Sequence, residues 1–287
     1  MYNYMKGIIT EINPTHITLE NNGIGYLILT PNPYNFVLHS ETTIYLYQKV
    51  SDDNISLYGF KTEQLTGGYK AYRNWVLAQF EKNYSMKVLG GYTGSGKTEI
   101  LLQLQKSKIP VIDLEGLAHH KGSAFGALGQ HEQTSQEQFE NNLAGALFHI
   151  SATHPCFWIE DESQRIGTNM LPITFFKNIR NSICYFIDIP FESRLQFIVE
   201  AYGKFAVADL IAATLRIQKR LGGLETKTAV NYLVENNVEA AFSILLKYYD
   251  KVYLKNIETA AIPKLKIEKL EAPGVNPIQN AGLFMHL

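Results

Sequence analysis

Gly91-Tyr92-Thr93-Gly94-Ser95-Gly96-Lys97-Thr98 lies directly after the apolar run Val88-Leu89 and directly before Thr98 to Gln105, whose apolar residues recur at helical spacing. The octet satisfies the G-x-x-x-x-G-K-[ST] pattern of a phosphate loop in the strand-then-helix context that such a loop requires. Glycines let successive backbone N–H groups turn inward around phosphate oxygens, and the helix N-terminus adds roughly half a positive charge. Gly91, Thr93, Gly94, Ser95 and Gly96 are therefore expected to form a cradle. Lys97 is expected to neutralise terminal phosphates, and the Thr98 hydroxyl to reach a magnesium ion if one binds.

Outward from this loop the chain reads as α/β. Candidate strands are Met86 to Gly90, Pro110 to Leu114, Pro155 to Ile159 and Ser182 to Ile189, separated by helical stretches near Thr98 to Gln105, Gln136 to Ser151 and Leu171 to Asn181. Alternating strands and helices predict a parallel sheet covered on both faces. After Pro190 only helices are predicted, near Glu192 to Tyr202, Val207 to Leu221, Lys227 to Glu235 and Glu239 to Tyr253. The first 60 residues instead hold five short β-rich runs with a tight-turn sequence at Asn21-Asn22-Gly23, which predicts a small OB-type barrel. The expected organisation is a barrel over 1–64, a linker helix over 65–85, a phosphate-loop α/β domain with a helical C-terminal part over 86–255, and a tail over 256–287. The tail, with Pro263, Pro273, Gly274 and Pro277, shows no periodicity and is expected to be a surface extension or disordered.

A second acidic element is expected beside the loop. Cys156-Phe157-Trp158-Ile159 runs into Glu160-Asp161-Glu162, an apolar strand ending in carboxylates that can hold magnesium or its waters. Alternation puts Glu160 and Glu162 on one face and Asp161 on the other, so the three cannot serve one ion. A solvated acidic turn is the competing reading. Metal candidates are thus Thr98, Glu160 and Glu162, and catalytic candidates from the residues alone are Lys97 and Glu160. Tyr92 reads as a variable, substrate-facing position. Cys156 and Cys184 sit in apolar strand-like runs without an adjacent cation and read as buried core cysteines.

Composition narrows the function classes. The 287 residues are 46% apolar, 12% aromatic and 18% charged, which excludes disordered, collagen-like and coiled-coil chains. No apolar run reaches the ~18 residues of a membrane helix, and no secretory leader is visible, so a cytoplasmic protein with no membrane partner is expected. Net charge is −1, divided as −3 over residues 1–64 and +2 over the remainder. Neither part carries the positive field that sequence-independent nucleic-acid affinity usually needs, so any RNA contact must come from a local patch.

Two resemblances follow from longer motifs. Met5-Lys6-Gly7-Ile8-Ile9, Gly23-Ile24-Gly25-Tyr26, Asp52-Asp53 and Leu57-Tyr58-Gly59-Phe60 occur in the order found in the N-terminal domain of the Holliday-junction protein RuvA, which the first 64 residues resemble. That resemblance implies that Asp52 and Asp53 form an acidic pair repelling phosphates. The helix-hairpin-helix modules that grip duplex DNA in that family have no counterpart after Gln64. From about Leu65 to Tyr253, Gly67 to Arg73, the phosphate loop, Asp113-Leu114-Glu115-Gly116-Leu117-Ala118-His119-His120-Lys121-Gly122-Ser123-Ala124-Phe125-Gly126, and Glu160 to Gly167 together resemble the C-terminal phosphate-loop domain of tRNA 2-selenouridine synthase.

The second resemblance implies a transferase acting on wobble 2-thiouridine of tRNA, by way of an S-geranylated intermediate made from geranyl diphosphate and with selenophosphate as co-substrate. The cradle would then hold a diphosphate, from geranyl diphosphate or ATP, with Mg2+ as a candidate companion. His120 joins the catalytic candidates because its loop resembles the family's. Lys121 stands where that family commonly has arginine, which keeps the charge but loses the bidentate fork. Arg165 is a candidate ligand contact, and Arg165, Arg180 and Arg194 read either as contacts for phosphate or RNA or as ion-pair residues. The family's rhodanese-like domain, with its selenium-transfer cysteine, is not found ahead of Gly67, so selenation calls for a separate rhodanese-like subunit. An ordinary phosphate-loop ATPase or kinase, and a non-enzymatic fusion with a partner-binding barrel, remain the rival readings.

Overall fold

The computed structural model describes residues 3–30, 33–51, 54–60, 68–259 and 266–287. The acidic pair Asp52-Asp53 and the start of the Gly67 to Arg73 motif lie outside the described residues. The chain divides into two compact units, Met1–Tyr72 and Arg73–Leu287.

In the first unit β1 (Tyr4–Ile12), β2 (His16–Asn21), β3 (Ile24–Leu29), β4 (Glu41–Ser51) and β5 (Asn54–Phe60) close into a barrel of order β1-β2-β3-β5-β4. Alternation drives the closure: Ile17 and Leu19 of β2 point inward with Ile9, Ile28 and Ile44, all fully buried, while their sequence neighbours face out. Asn22 and Gly23, both at positive φ, make the two-residue turn that pairs Asn21 with Ile24.

The second unit begins within α1 (Gly68–Phe80) and proceeds through β6 (Met86–Gly91), α2 (Lys97–Lys106), β7 (Val111–Ile112), the short α3 (Leu114–Ala118), α4 (Gln136–Thr153) and β8 (Phe157–Glu160). A small hairpin of β9 (Arg165–Ile166) and β10 (Asn169–Met170) leads to α5 (Ile173–Arg180) and β11 (Ile183–Asp188). There follow α6 (Phe191–Tyr202), α7 (Val207–Arg216), α8 (Gln218–Leu221), α9 (Gly223–Val234) and α10 (Val238–Thr259), then β12 (Lys266–Glu271) and α11 (Pro277–Gly282). The sheet is parallel throughout, in the order β12-β11-β6-β8-β7, with β6 at its centre. All four residues of β8 and five of the six in β6 are buried, the continuous apolar pattern of strands covered on both faces. Helices α6, α7, α9 and α10 enclose a separate core around Leu210, Ala213, Leu233 and Ala241.

The tail departs from expectation. Residues 266–271 form β12, the sheet's edge strand in register with β11 (Cys184 opposite Ile267), and Ala272, Ala281 and Phe284 are buried with Trp158 and Leu104. Its alternating lysines and glutamates suit an edge strand, which stays soluble by carrying charge, and so conceal the strand from a hydrophobic pattern search. Pro277 is no breaker either. It occupies the first turn of α11 behind the Asn276 cap, whose side chain accepts from Gln279 N. The strand expected over Pro110 to Leu114 is likewise shorter, because the Asp113 carboxylate accepts from Gly116 N and starts α3.

Candidate functional site

The 91–98 loop joins the C-terminal end of β6 to the N-terminus of α2, at the centre of the sheet. Gly94 (φ 82°) and Gly96 (φ 71°) are left-handed. A Cβ on Gly94 would fall 2.9 Å from Ile198 and one on Gly96 2.8 Å from Val275, so both conformation and space demand glycine. Lys97 Nζ curls over the loop to donate to Gly91 O at 3.0 Å, and Ser95 Oγ donates to Tyr92 O at 2.7 Å. The first-turn N–H groups of α2 have no partner within the helix and face an anion's natural position.

Arg194 holds the loop from behind. The residue is 3% exposed, and its guanidinium pairs through both terminal nitrogens with Asp250 of α10 (2.9 and 2.8 Å) and donates to Thr93 O (3.0 Å) and Ile189 O (3.1 Å). Tyr92 is half-buried within the loop. Its ring packs edge-on against Phe186 and Tyr253 and lies under the Arg194 guanidinium, 4.9 Å away.

Beside the loop lies a cluster of carboxylates. Glu160, at the end of β8, is 1% exposed; its Oε1 accepts from Glu115 N at 2.6 Å and its Oε2 has no hydrogen-bond partner. Glu115 Oε2 accepts from the Thr98 hydroxyl at 2.9 Å. Gly122 lies against both Glu162 and Glu115, since a Cβ there would sit 2.6 and 3.0 Å from their carboxylate oxygens. Burial raises the pKa of all three, Glu162 to about 8; Glu115 raises Glu160 and Glu162 further, Asp113 raises Glu115, and Lys97 pulls Glu115 and Glu162 back down. Asp161 faces elsewhere, bound by Arg180 at 2.7 Å and by the Tyr253 hydroxyl at 2.6 Å. The division of Glu160 and Glu162 from Asp161 follows from strand alternation.

Among the described residues, no group of three His, Cys, Asp or Glu side chains is disposed to bind a metal alone. An oxygen-seeking ion shared with a phosphate is a different case: the Thr98 hydroxyl, the carboxylates of Glu115 and Glu162, and above all the unpartnered Glu160 Oε2 supply the hard donors magnesium takes.

The remaining candidates sit apart in their contacts. His120 is 9% exposed; its ring lies against Gly126 of the 121–126 turn, its Nδ1 is unpartnered, and burial with the nearby Arg216 lowers its pKa. Arg165 is exposed on β9 and donates from Nε to Gly167 O. Arg180 stacks on Phe176 and serves Asp161 and the Glu162 carbonyl, and Arg194 serves the loop backbone, so both act as internal ties. Cys184 is buried with a raised thiol pKa, caused first by burial and then by Asp161, whereas Cys156 is only half-buried. Glu115 was missed as a site residue. No motif marks it: β7 lies one strand removed from the phosphate-loop strand, and Glu115 reaches Thr98 because Asp113 caps α3.

A central-strand phosphate loop, with carboxylates on the adjacent strand, defines the second unit as a phosphate-loop nucleotide-binding α/β protein. Residues 84–266 match the family model of the tRNA 2-selenouridine synthase AAA domain, and residues 1–59 match the RuvA N-terminal domain. A tRNA 2-selenouridine synthase of Shewanella frigidimarina is 33% identical over 259 residues, covering 77% of this chain and 69% of that protein. Those of Shewanella sediminis (31% over 263 residues; 79% and 68%) and Sulfurovum sp. (30% over 260 residues; 78% and 70%) are similar to the same extent. The chain belongs to the tRNA 2-selenouridine synthase family. An unliganded sugar kinase from Janibacter sp. superposes with a TM-score of only 0.34 at 15% identity, over 71% of this chain and 95% of that one. No described helix is long and apolar enough to cross a membrane.

Proposed function

We propose that the chain is a transferase acting on the wobble 2-thiouridine of tRNA, with a diphosphate of geranyl diphosphate held in the 91–98 loop. The thiouridine sulfur attacks C1 of the geranyl chain, the C–O bond breaks, and diphosphate leaves with the bonding electron pair. What supports this reading is the convergence of Lys97, the first turn of α2 and the Thr98–Glu115 pair at one end of the central strand. Preorganised cations and N–H dipoles aimed at a leaving group's growing charge lower such a barrier. Magnesium, held by Thr98, Glu160 and Glu162 together with Glu115, would add charge neutralisation there. Lys97 would exchange its bond to Gly91 O for a diphosphate oxygen, and Arg194 would keep the loop in place meanwhile.

Replacement of sulfur by selenium from selenophosphate calls for a reactive thiol. Buried Cys184, with its raised pKa, is unsuited to that role, and half-buried Cys156 precedes β8 at the end of the sheet away from the 91–98 loop, so a separate rhodanese-like subunit is assigned the step. The test is to incubate the protein with a 2-thiouridine anticodon stem-loop and geranyl diphosphate and to weigh the nucleoside. A geranyl adduct supports the reading. Magnesium-dependent ATP turnover without adduct would replace it with an ATPase.

A further inference from the structure

The chain's net charge of −1 leaves RNA nothing to grip except a local concentration of cations, and the structure contains one. Helices α7 to α9, residues 207–234, carry Arg216, Lys219, Arg220 and Lys227 against Asp209 and Glu225, a balance of +2 in a chain that is negative elsewhere. All four cations are exposed, and among the described residues none forms an ion pair with a carboxylate. Lys219 and Lys227 flank an open groove of about 520 Å³ between α7–α8 and α9, lined by Gln218, Thr226 and Asn231 and by no acidic side chain. The Gln218 and Asn231 amides near the lysines are donors for phosphate and sugar oxygens, while the Thr226 hydroxyl is already bound to Gly222 O at 2.6 Å.

Arg216, which follows the groove-lining Leu215, ties α7 to the turn beside the site. Arg216 Nη2 donates to Ala124 O at 3.0 Å, and the Tyr249 hydroxyl accepts from Ala124 N at 3.2 Å, so the 121–126 turn is fixed to α7 on one side and to α10 on the other. Phe125 of the same turn is buried in the helical core, and Gly122 lies against Glu115 and Glu162. A polyanion seated on the cations is therefore one turn of chain away from the carboxylates.

We propose that the face formed by Arg216, Lys219, Arg220 and Lys227 docks the phosphate backbone of the RNA substrate and delivers its target nucleoside toward the 91–98 loop. The proposal rests on the reading of the chain as acting on tRNA. The competing anion, duplex DNA, is set against it in the test.

The experiment measures fluorescence anisotropy of a labelled anticodon stem-loop with the full chain across a salt series. Lys219→Ala, Arg220→Ala and Lys227→Ala are combined in one variant, and Lys106→Ala with Lys108→Ala, at the far end of α2 from the loop, serve as control. The triple variant is expected to bind at least about tenfold more weakly near 100 mM salt. Its slope of log K against log salt should be shallower by about 2 to 3, since each lost phosphate contact removes about 0.7 to 0.9. Its affinity for inorganic diphosphate, read by calorimetry, should be unchanged. Equal RNA affinity in wild type and triple variant, an equal loss in the control, or tighter binding of duplex DNA than of stem-loop would each overturn the proposal. A wild-type protein that binds no RNA would overturn the tRNA reading itself, and this proposal with it.

Discussion

Replacing Arg194 with methionine tests whether the phosphate loop is held from behind. The change removes two bonds to Asp250 and those to Thr93 O and Ile189 O while keeping most of the side chain's volume. Breaking one partner of a buried pair costs about 3–5 kcal/mol because the other charge is stranded. The Asp250 side chain keeps 20% of its exposure and water can partly rescue it, so the lower end, about 3 kcal/mol, is expected. For a unit the size of Arg73–Leu287 each kcal/mol moves Tm by about 2–4 °C, which gives a fall of about 6–12 °C by calorimetric melting. Diphosphate affinity should fall as well, because Thr93 loses its tie. Adding Asp250→Leu should recover part of the loss, since no charge is then stranded, and Arg194→Lys should recover little, having no fork. A loss under about 1 kcal/mol with unchanged diphosphate affinity would refute the reasoning.

Lys97→Met should weaken diphosphate binding at least about tenfold by calorimetry, the scale of one charge-assisted hydrogen bond. The carboxylate cluster sets a pH dependence: a carboxyl raised from 4.5 to about 8 contributes stability below its unfolded pKa that is lost as pH climbs through the folded one. Denaturant melts should therefore show a component falling between pH 5 and 8, no steeper than about 1.4 kcal/mol per pH unit per group, and Glu162→Gln should flatten it. Magnesium should raise Tm more at pH 8 than at pH 5, because the ion favours the ionised acids; equal shifts would count against the donor set. Phe284→Ala should cost about 3–5 kcal/mol, and a loss below 1 kcal/mol would mean the tail does not complete the core.

Local patterns made most of the architecture legible. Strands buried on both faces announced themselves as apolar runs, barrel strands as alternation, and the phosphate loop as glycines between strand and helix. What stayed hidden depends on contacts distant in sequence. Residues 266–271 look like a charged linker until β11 is beside them, and Tyr92 looks like a display residue until Phe186, Tyr253 and Arg194 surround it. Lys97, Thr98 and Glu160 were readable as a set because each follows from the motif or from a strand end. Glu115 was not, since its position depends on Asp113 capping a five-residue helix.

The late arrival of β12 also bears on how the chain is made. A ribosome delivers β11 roughly 80 residues before its edge partner, and during that interval the strand's outer edge is open while α6 to α10 assemble. Residues 272–284, which close over Trp158 and α2, emerge later still. A nascent chain paused near residue 259 would thus own its phosphate-loop sequence yet lack the wall against which Gly96 is shaped, and it would present an unpaired strand to its neighbours in the polysome.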